Sequence, residues 1–133
     1  MASKKVIDAY SVLAFFENAA GADKVASLIK IALEKDRPLM ISSLAWCEVC
    51  YGIYASMEKA KATAMIENAL TLPLEIIAFD HDAARIAAAI KAENKVTYSD
   101  ASSIALAKLK RATLVTGKNE LREFSKLVDI EIL

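Results

Sequence analysis

The chain has 133 residues, enough for one domain with a real core, and with 56% apolar residues, 26% charged residues, three Gly and two Pro it is neither disordered nor low-complexity. Lys plus Arg balances Asp plus Glu at 17 each, so no global field draws the protein onto nucleic acid and any such binding has to be local. The apolar share exceeds that of a typical monomer, which points to a permanent interface and a symmetric homodimer.

The opening Met1-Ala2-Ser3-Lys4-Lys5 has no signal-type apolar core, and no apolar run approaches a membrane span, so a cytoplasmic location without membrane partners is expected. Lys5-Val6-Ile7 is a short β-type run that stops at a carboxylate, Asp8, and a helical pattern begins at once through Ala9, Val12, Leu13 and Phe16. Ligands of open parallel sheets gather outside the carboxyl ends of the strands, so Asp8 stands where chemistry is expected. The competing reading is a plain helix cap, a role Asp also favours. Gly21-Ala22-Asp23 punctuates the chain, and Val25, Leu28, Ile29, Ala32 and Leu33 then recur at helical spacing until Pro38.

Leu39-Met40-Ile41 reads as a second strand, and Ser42-Ser43 as the capping signal of a helix that carries Glu48. This helix is apolar nearly all round and is expected to be buried on most faces, so a carboxylate inside it needs a cation or a proton. Cys47 and Cys50 lie one turn apart in it. With no second cysteine pair, and His81 the only histidine, the four ligands of a structural zinc site are lacking, and packing of two small buried residues is the favoured reading.

A further helix runs from Met57 to Leu70 and ends before Pro73, and residues 74–79 read as a third strand. Asp80-His81-Asp82 invites a metal reading, but acids in a first helical turn compensate the macrodipole, and an alanine-rich helix follows. Thr97-Tyr98-Ser99-Asp100 opens the next helix with capping-box spacing. Residues 113–116 form a fourth strand, 121–127 a last short helix and 130–133 an edge strand. Strands alternating with helices argue for a parallel sheet covered on both faces. Gly21, Gly52 and Gly117 cannot supply a glycine-rich phosphate loop, which disfavours dinucleotide binding and ATP hydrolysis. Basic residues gather late, from Lys91 to Lys126, and outnumber the acids there, so this face is either a phosphate-positioning surface or an ordinary solvated one.

Four ordered stretches, Val6-Ile7-Asp8-Ala9-Tyr10-Ser11, Ser42-Ser43-Leu44-Ala45-Trp46-Cys47-Glu48-Val49, Tyr98-Ser99-Asp100-Ala101-Ser102-Ser103 and Leu114-Val115-Thr116-Gly117-Lys118-Asn119-Glu120-Leu121, resemble the PIN domains, and among them the VapC-type toxin ribonucleases. The resemblance runs nearly end to end and implies a three-layer α/β/α domain over residues 1–133, with a central parallel sheet of four to five strands in which the first and fourth are neighbours. It also implies that Asp8, Glu48 and Asp100 are the catalytic ligands of Mg²⁺ or Mn²⁺ and that the Thr116 hydroxyl supports the site. Many relatives carry Asp at the position of Lys118. Here that ammonium is expected to point toward the acids, neutralising them in part or contacting a substrate phosphate, and Glu120 is the nearest substitute for the missing fourth metal ligand.

The function so implied is a metal-dependent endoribonuclease, the toxin of a type II toxin-antitoxin pair, that cleaves structured cellular RNA such as tRNA or ribosomal RNA. A small antitoxin would silence it by laying its carboxy-terminal segment over the site. The alternative is a PIN-like module that no longer cleaves and binds RNA or a partner protein, for which Lys118 is the best support. A phosphoacceptor domain of the flavodoxin-like type is a third reading, weakened because the first strand ends on a single acid.

Overall fold

The computed structural model describes residues 4–133; the expectation of no signal sequence rests partly on Met1, Ala2 and Ser3, which lie outside the described residues. The elements run β1 (Lys5–Ile7), α1 (Ala9–Phe16), α2 (Ala22–Glu34), β2 (Leu39–Ser42), α3 (Ser43–Ser56), α4 (Lys59–Ala69), β3 (Leu74–Ile77), α5 (His81–Glu93), α6 (Tyr98–Lys110), β4 (Thr113–Thr116), a 3₁₀ helix (Asn119–Lys126) and β5 (Ile130–Ile132). All five strands are parallel, in the order β3-β2-β1-β4-β5. The chain works outward from β1 to β2 and β3, then returns across the sheet to lay β4 against the other side of β1. The order therefore reverses between β1 and β4, where Val6 pairs with Leu114 and Ile7 with Val115, and such a reversal opens a crevice at the carboxyl ends of the two strands.

Side chains alternate across the sheet and divide the core in two. Val6, Met40 and Leu114 face α5, α6 and the 3₁₀ helix through Ala87, Ile90, Ile104, Leu121 and Phe124. Ile7, Ile41 and Val115 face α1, α2, α3 and α4 through Val12, Val25, Leu28, Val49 and Ala62. The result is the expected α/β/α layering with a five-stranded sheet. Helix α6 is buried continuously from Asp100 to Ala107, and Ala101, Ser102, Ser103, Ala105 and Ala107 supply the small side chains that let it lie close to its neighbours. No helix of the described residues is long and apolar enough to cross a membrane.

Several local expectations need correction. Helix α3 is not buried on most faces: only Ala45, Val49 and Ile53 are buried, a single stripe at i, i+4 and i+8, while Tyr51 is 71% exposed and Tyr54 is 48% exposed. Cys47 is exposed and Cys50 half-buried, so the pair is not a buried packing element; burial, followed by the neighbouring Cys47, pushes the Cys50 thiol up, away from reactive thiolate character. The third strand stops at Ile77, and Met57 caps α3 instead of opening α4. The last helix is 3₁₀, with Leu121 and Phe124 buried at the three-residue spacing that one face of such a helix presents.

Candidate active site

Asp8 is the first residue beyond β1 and is 1% exposed. It caps α1: its Oδ1 accepts from the Ser11 amide at 2.9 Å and from the Ser11 hydroxyl at 2.6 Å. The cap and the chemical readings are therefore not alternatives, because only one carboxylate oxygen is used. Oδ2 is buried with no hydrogen-bond partner, a costly state for an ionised group that is left uncompensated. Burial raises the Asp8 pKa above its ordinary value; the hydrogen bonds from Ser11 and the nearby, favourably placed Thr116 hydroxyl oppose the rise, which the charge of Asp100 reinforces, and no direct Thr116 bond fills Oδ2.

Asp100 opens the second half of the site from the first turn of α6. The Thr97 hydroxyl accepts from the Asp100 amide at 3.0 Å, one limb of the anticipated capping box. The carboxylate itself is turned to Lys118, whose ammonium donates to Oδ2 at 2.9 Å and to Oδ1 at 3.2 Å. That pair is largely shielded, with side-chain exposures of 25% for Lys118 and 9% for Asp100.

The route that delivers Lys118 begins at the end of β4. Buried Thr116 accepts from the Lys118 amide through its hydroxyl at 3.0 Å, which bends the chain just after the strand. At Gly117 the Tyr10 ring sits so close that any Cβ would collide with its edge. The side chain at 118 is thereby directed at the acids, whereas Glu120, two residues on, is exposed on the 3₁₀ helix. Glu120 takes part in no hydrogen bond or ion pair with Asp8, Glu48, Asp100 or Lys118 among the described residues.

Glu48 is half-buried, and it lines a cleft of about 200 Å³ together with Tyr10, Glu17 and Lys118. Burial lowers the Lys118 pKa, but the hydrogen bond to Asp100 and the charges of Asp100, Glu48 and Asp8 more than offset this and hold the ammonium above its usual value. Three carboxylates thus act on one cationic side chain. Among the described residues no three His, Cys, Asp or Glu side chains converge closely enough to hold a metal ion as they stand. The unpartnered Asp8 Oδ2 and the hard oxygen character of all three acids nonetheless suit a small divalent cation.

Two further residues, Ser11 and Ser102, support the site without having been assigned a role from the sequence. Ser11 could have been found from its position three residues after a capping Asp. Ser102 could not, because its contact is tertiary: its hydroxyl receives the Ser42 hydroxyl at 2.9 Å and donates to the Ser99 carbonyl at 2.7 Å, tying the end of β2 to the turn that carries Asp100. Asp80 is a cap, accepting from the Ala83 amide at 3.0 Å, and His81 and Asp82 are each 84% exposed, away from any cluster.

The PIN-domain family model matches residues 5–127, which takes in every element from β1 through the 3₁₀ helix. The chain belongs to the PIN-domain family. Similar solved structures share this PIN fold. VapBC2 from Rickettsia felis, bound to a DNA fragment from its promoter, is 22% identical, with a TM-score of 0.72 over 97% of this chain and 98% of that one. DNA-bound VapBC from Salmonella typhimurium is 23% identical, with a TM-score of 0.73 over 98% of both chains. A toxin-antitoxin complex from Klebsiella pneumoniae is 24% identical, with a TM-score of 0.65 over 97% of this chain and 96% of that one. Comparison with curated proteins gives no match.

Proposed function

We propose that this PIN domain is a divalent-metal-dependent endoribonuclease and the toxin of a toxin-antitoxin pair, held in check by a small antitoxin. The observation that carries the reading is the buried Asp8 carboxylate at the β1/β4 reversal, with Ser11 holding one oxygen and the other left without a partner. Asp8, Glu48 and Asp100 would hold Mg²⁺ or Mn²⁺, which when bound supplies charge stabilisation at the phosphodiester and an activated water.

The chain's own residues prepare that chemistry. Ser11 fixes the Asp8 carboxylate so that Oδ2 needs no reorientation on binding. Lys118 lines the cleft as the nearest cation for a substrate phosphate, acting as a point charge. Exposed Lys95 and Arg122 are candidates for further phosphate contacts that position a structured RNA without reading its bases, whereas Lys108, Lys110 and Arg111 end α6 at the opposite, amino edge of the sheet. The family membership and the likeness to VapBC and toxin-antitoxin structures support the antitoxin partner. Exposed Leu33, Tyr51, Tyr54 and Leu70 support an apolar interface, for a homodimer or for the antitoxin, in a cytoplasmic protein.

The second reading, a module that binds RNA or protein without cutting, is favoured by one observation: Lys118 already neutralises Asp100. Incubation of the wild type and Asp8→Asn with tRNA and ribosomal RNA, in Mn²⁺ and in chelator, tests the first reading. Cleavage confined to wild type with Mn²⁺ supports it. RNA retained intact by a folded, Mn²⁺-loaded wild type hands the function to the second.

A further inference from the structure

We propose that Lys118 is a tethered counter-cation of the site: its ammonium holds the Asp100 end of the acidic group, so that one divalent ion is taken up and an ion that engages Asp100 must first displace the lysine. The inference rests on the metal reading above and specifies how many cations the site takes and against what competitor.

Geometry carries the argument. The ammonium contacts both oxygens of Asp100, at 2.9 and 3.2 Å, leaving neither one open on that side. The 3.0 Å bond from its amide to the Thr116 hydroxyl turns the backbone just after the strand, and from that turn the side chain reaches Asp100. Asp8 is the opposite case, since its Oδ2 is buried and without a partner. The two halves of the site are therefore unlike: one carboxylate is already charge-paired and the other is waiting for a cation.

Charge counting agrees. With all three acids ionised, as a bound cation would hold them, Asp8, Glu48 and Asp100 contribute −3 and Lys118 contributes +1, leaving −2, which a single divalent ion neutralises; Glu17, exposed at the cleft, is left to solvent. Without the ammonium the three acids would leave room for a further cation, since close carboxylates repel unless neutralised. An ammonium is also a flexible point charge on a four-carbon stem, so once displaced from Asp100 it remains within the cleft that it lines with Glu48 and Tyr10. Ion uptake at Asp100 would thus deliver a free cation to the place where a phosphate would lie.

Titration calorimetry with MnCl₂ on the full-length wild type, Lys118→Ala and Lys118→Gln tests this, with circular dichroism to confirm folding; the glutamine variant serves if the alanine variant does not fold. The expected result is one Mn²⁺ per wild-type chain, and binding about tenfold tighter in the variant that has lost the ammonium, the change that about 1.4 kcal/mol of lost competition produces. Equal or weaker Mn²⁺ binding in Lys118→Ala and Lys118→Gln overturns the inference while leaving the metal reading standing. Two tight Mn²⁺ ions in the wild type also overturn it. No Mn²⁺ binding in any folded variant removes both this inference and the metal reading.

Discussion

Lys118 and Asp100, 18 residues apart in sequence, form a two-oxygen ion pair at the mouth of the crevice between β1 and β4, and it is this contact that separates the charge-paired half of the site from the unpaired half at Asp8. The pair exists because two elements end at the same place. Helix α6 begins there with Asp100 in its first turn, and β4 ends there with Thr116 turning the chain.

Replacing Asp8 by Asn is expected to raise the melting temperature of the metal-free protein at neutral pH, because burial raises the Asp8 pKa above its ordinary value. The sign follows from proton counting. Between the unfolded value of 3.8 and the higher folded value, the folded state holds a proton that the unfolded state has lost, so stability falls as pH rises through that window. Asn keeps the cap and has no charge to bury. Melting curves from pH 4 to 8 check this: the advantage of Asp8→Asn should shrink toward the acid end, and an advantage that is absent at neutral pH contradicts the account.

Much of this architecture could be read from the chain, for a physical reason. Short strands buried on both faces are continuous apolar runs, and Asp8, Ser42 and Thr97 are side chains that cap the helices they precede. The place of Asp8, just beyond the end of β1, was legible for the same reason. What was not legible is which side of α3 meets the core: its outward positions carry Tyr51, Tyr54 and Cys47, apolar residues that the sequence pattern cannot distinguish from buried ones. The exposure of Glu120 was equally hidden, because it depends on a 3₁₀ helix that leaves the side chain at 120 in solvent while the one at 118 contacts Asp100. The Ser42 to Ser102 bond spans 60 residues and has no local pattern at all.

Ser11→Ala removes the 2.6 Å hydroxyl bond to Asp8 and leaves only the backbone amide on that oxygen. The cost to folding should be about 1 kcal/mol, the usual net worth of one buried hydrogen bond. Mn²⁺ affinity should fall by more than that loss suggests, since the carboxylate is no longer held in one orientation. Chemical denaturation and Mn²⁺ titration of the same sample give both numbers, and unchanged Mn²⁺ affinity would count against an orienting role for Ser11.

Gly117→Ala places a methyl group where the Tyr10 ring lies. The ring edge, on a side chain that is 44% exposed, can swing into the cleft more cheaply than the backbone can move. The expected cost in stability is about 1 kcal/mol, the low end of what overpacking costs, with a larger loss of RNA cleavage because the Tyr10 ring then enters the space beside Glu48 and Lys118. A variant that cuts RNA at the wild-type rate would show that the cleft is not where substrate lies.

Glu131 joins β5 to β1 through Lys5 and to α2 through Lys24, the latter at 3.6 Å. Its burial would raise its pKa, but the hydrogen bond and charge of Lys5, with Lys24 adding to them, hold it below the ordinary 4.5. Its contribution is therefore present above pH 4.5 and lost as pH falls through the lowered folded value. The groups are partly exposed, so Glu131→Gln should cost no more than about 1 kcal/mol at pH 7, less in high salt. Urea melts of both proteins should differ at pH 7, with the difference narrowing steadily as pH falls below 4.5.

The most direct measurement is RNA cleavage by matched, folded samples of wild type, Asp8→Asn, Glu48→Gln and Asp100→Asn, each in Mn²⁺ and in chelator at fixed ionic strength. The account predicts cleavage by the wild type in Mn²⁺ only, and a loss of at least about a hundredfold in each variant, the scale that removing one charge-stabilising group at an active site produces. Wild-type rates from Glu48→Gln, or equal cleavage by the wild type in chelator, would contradict it.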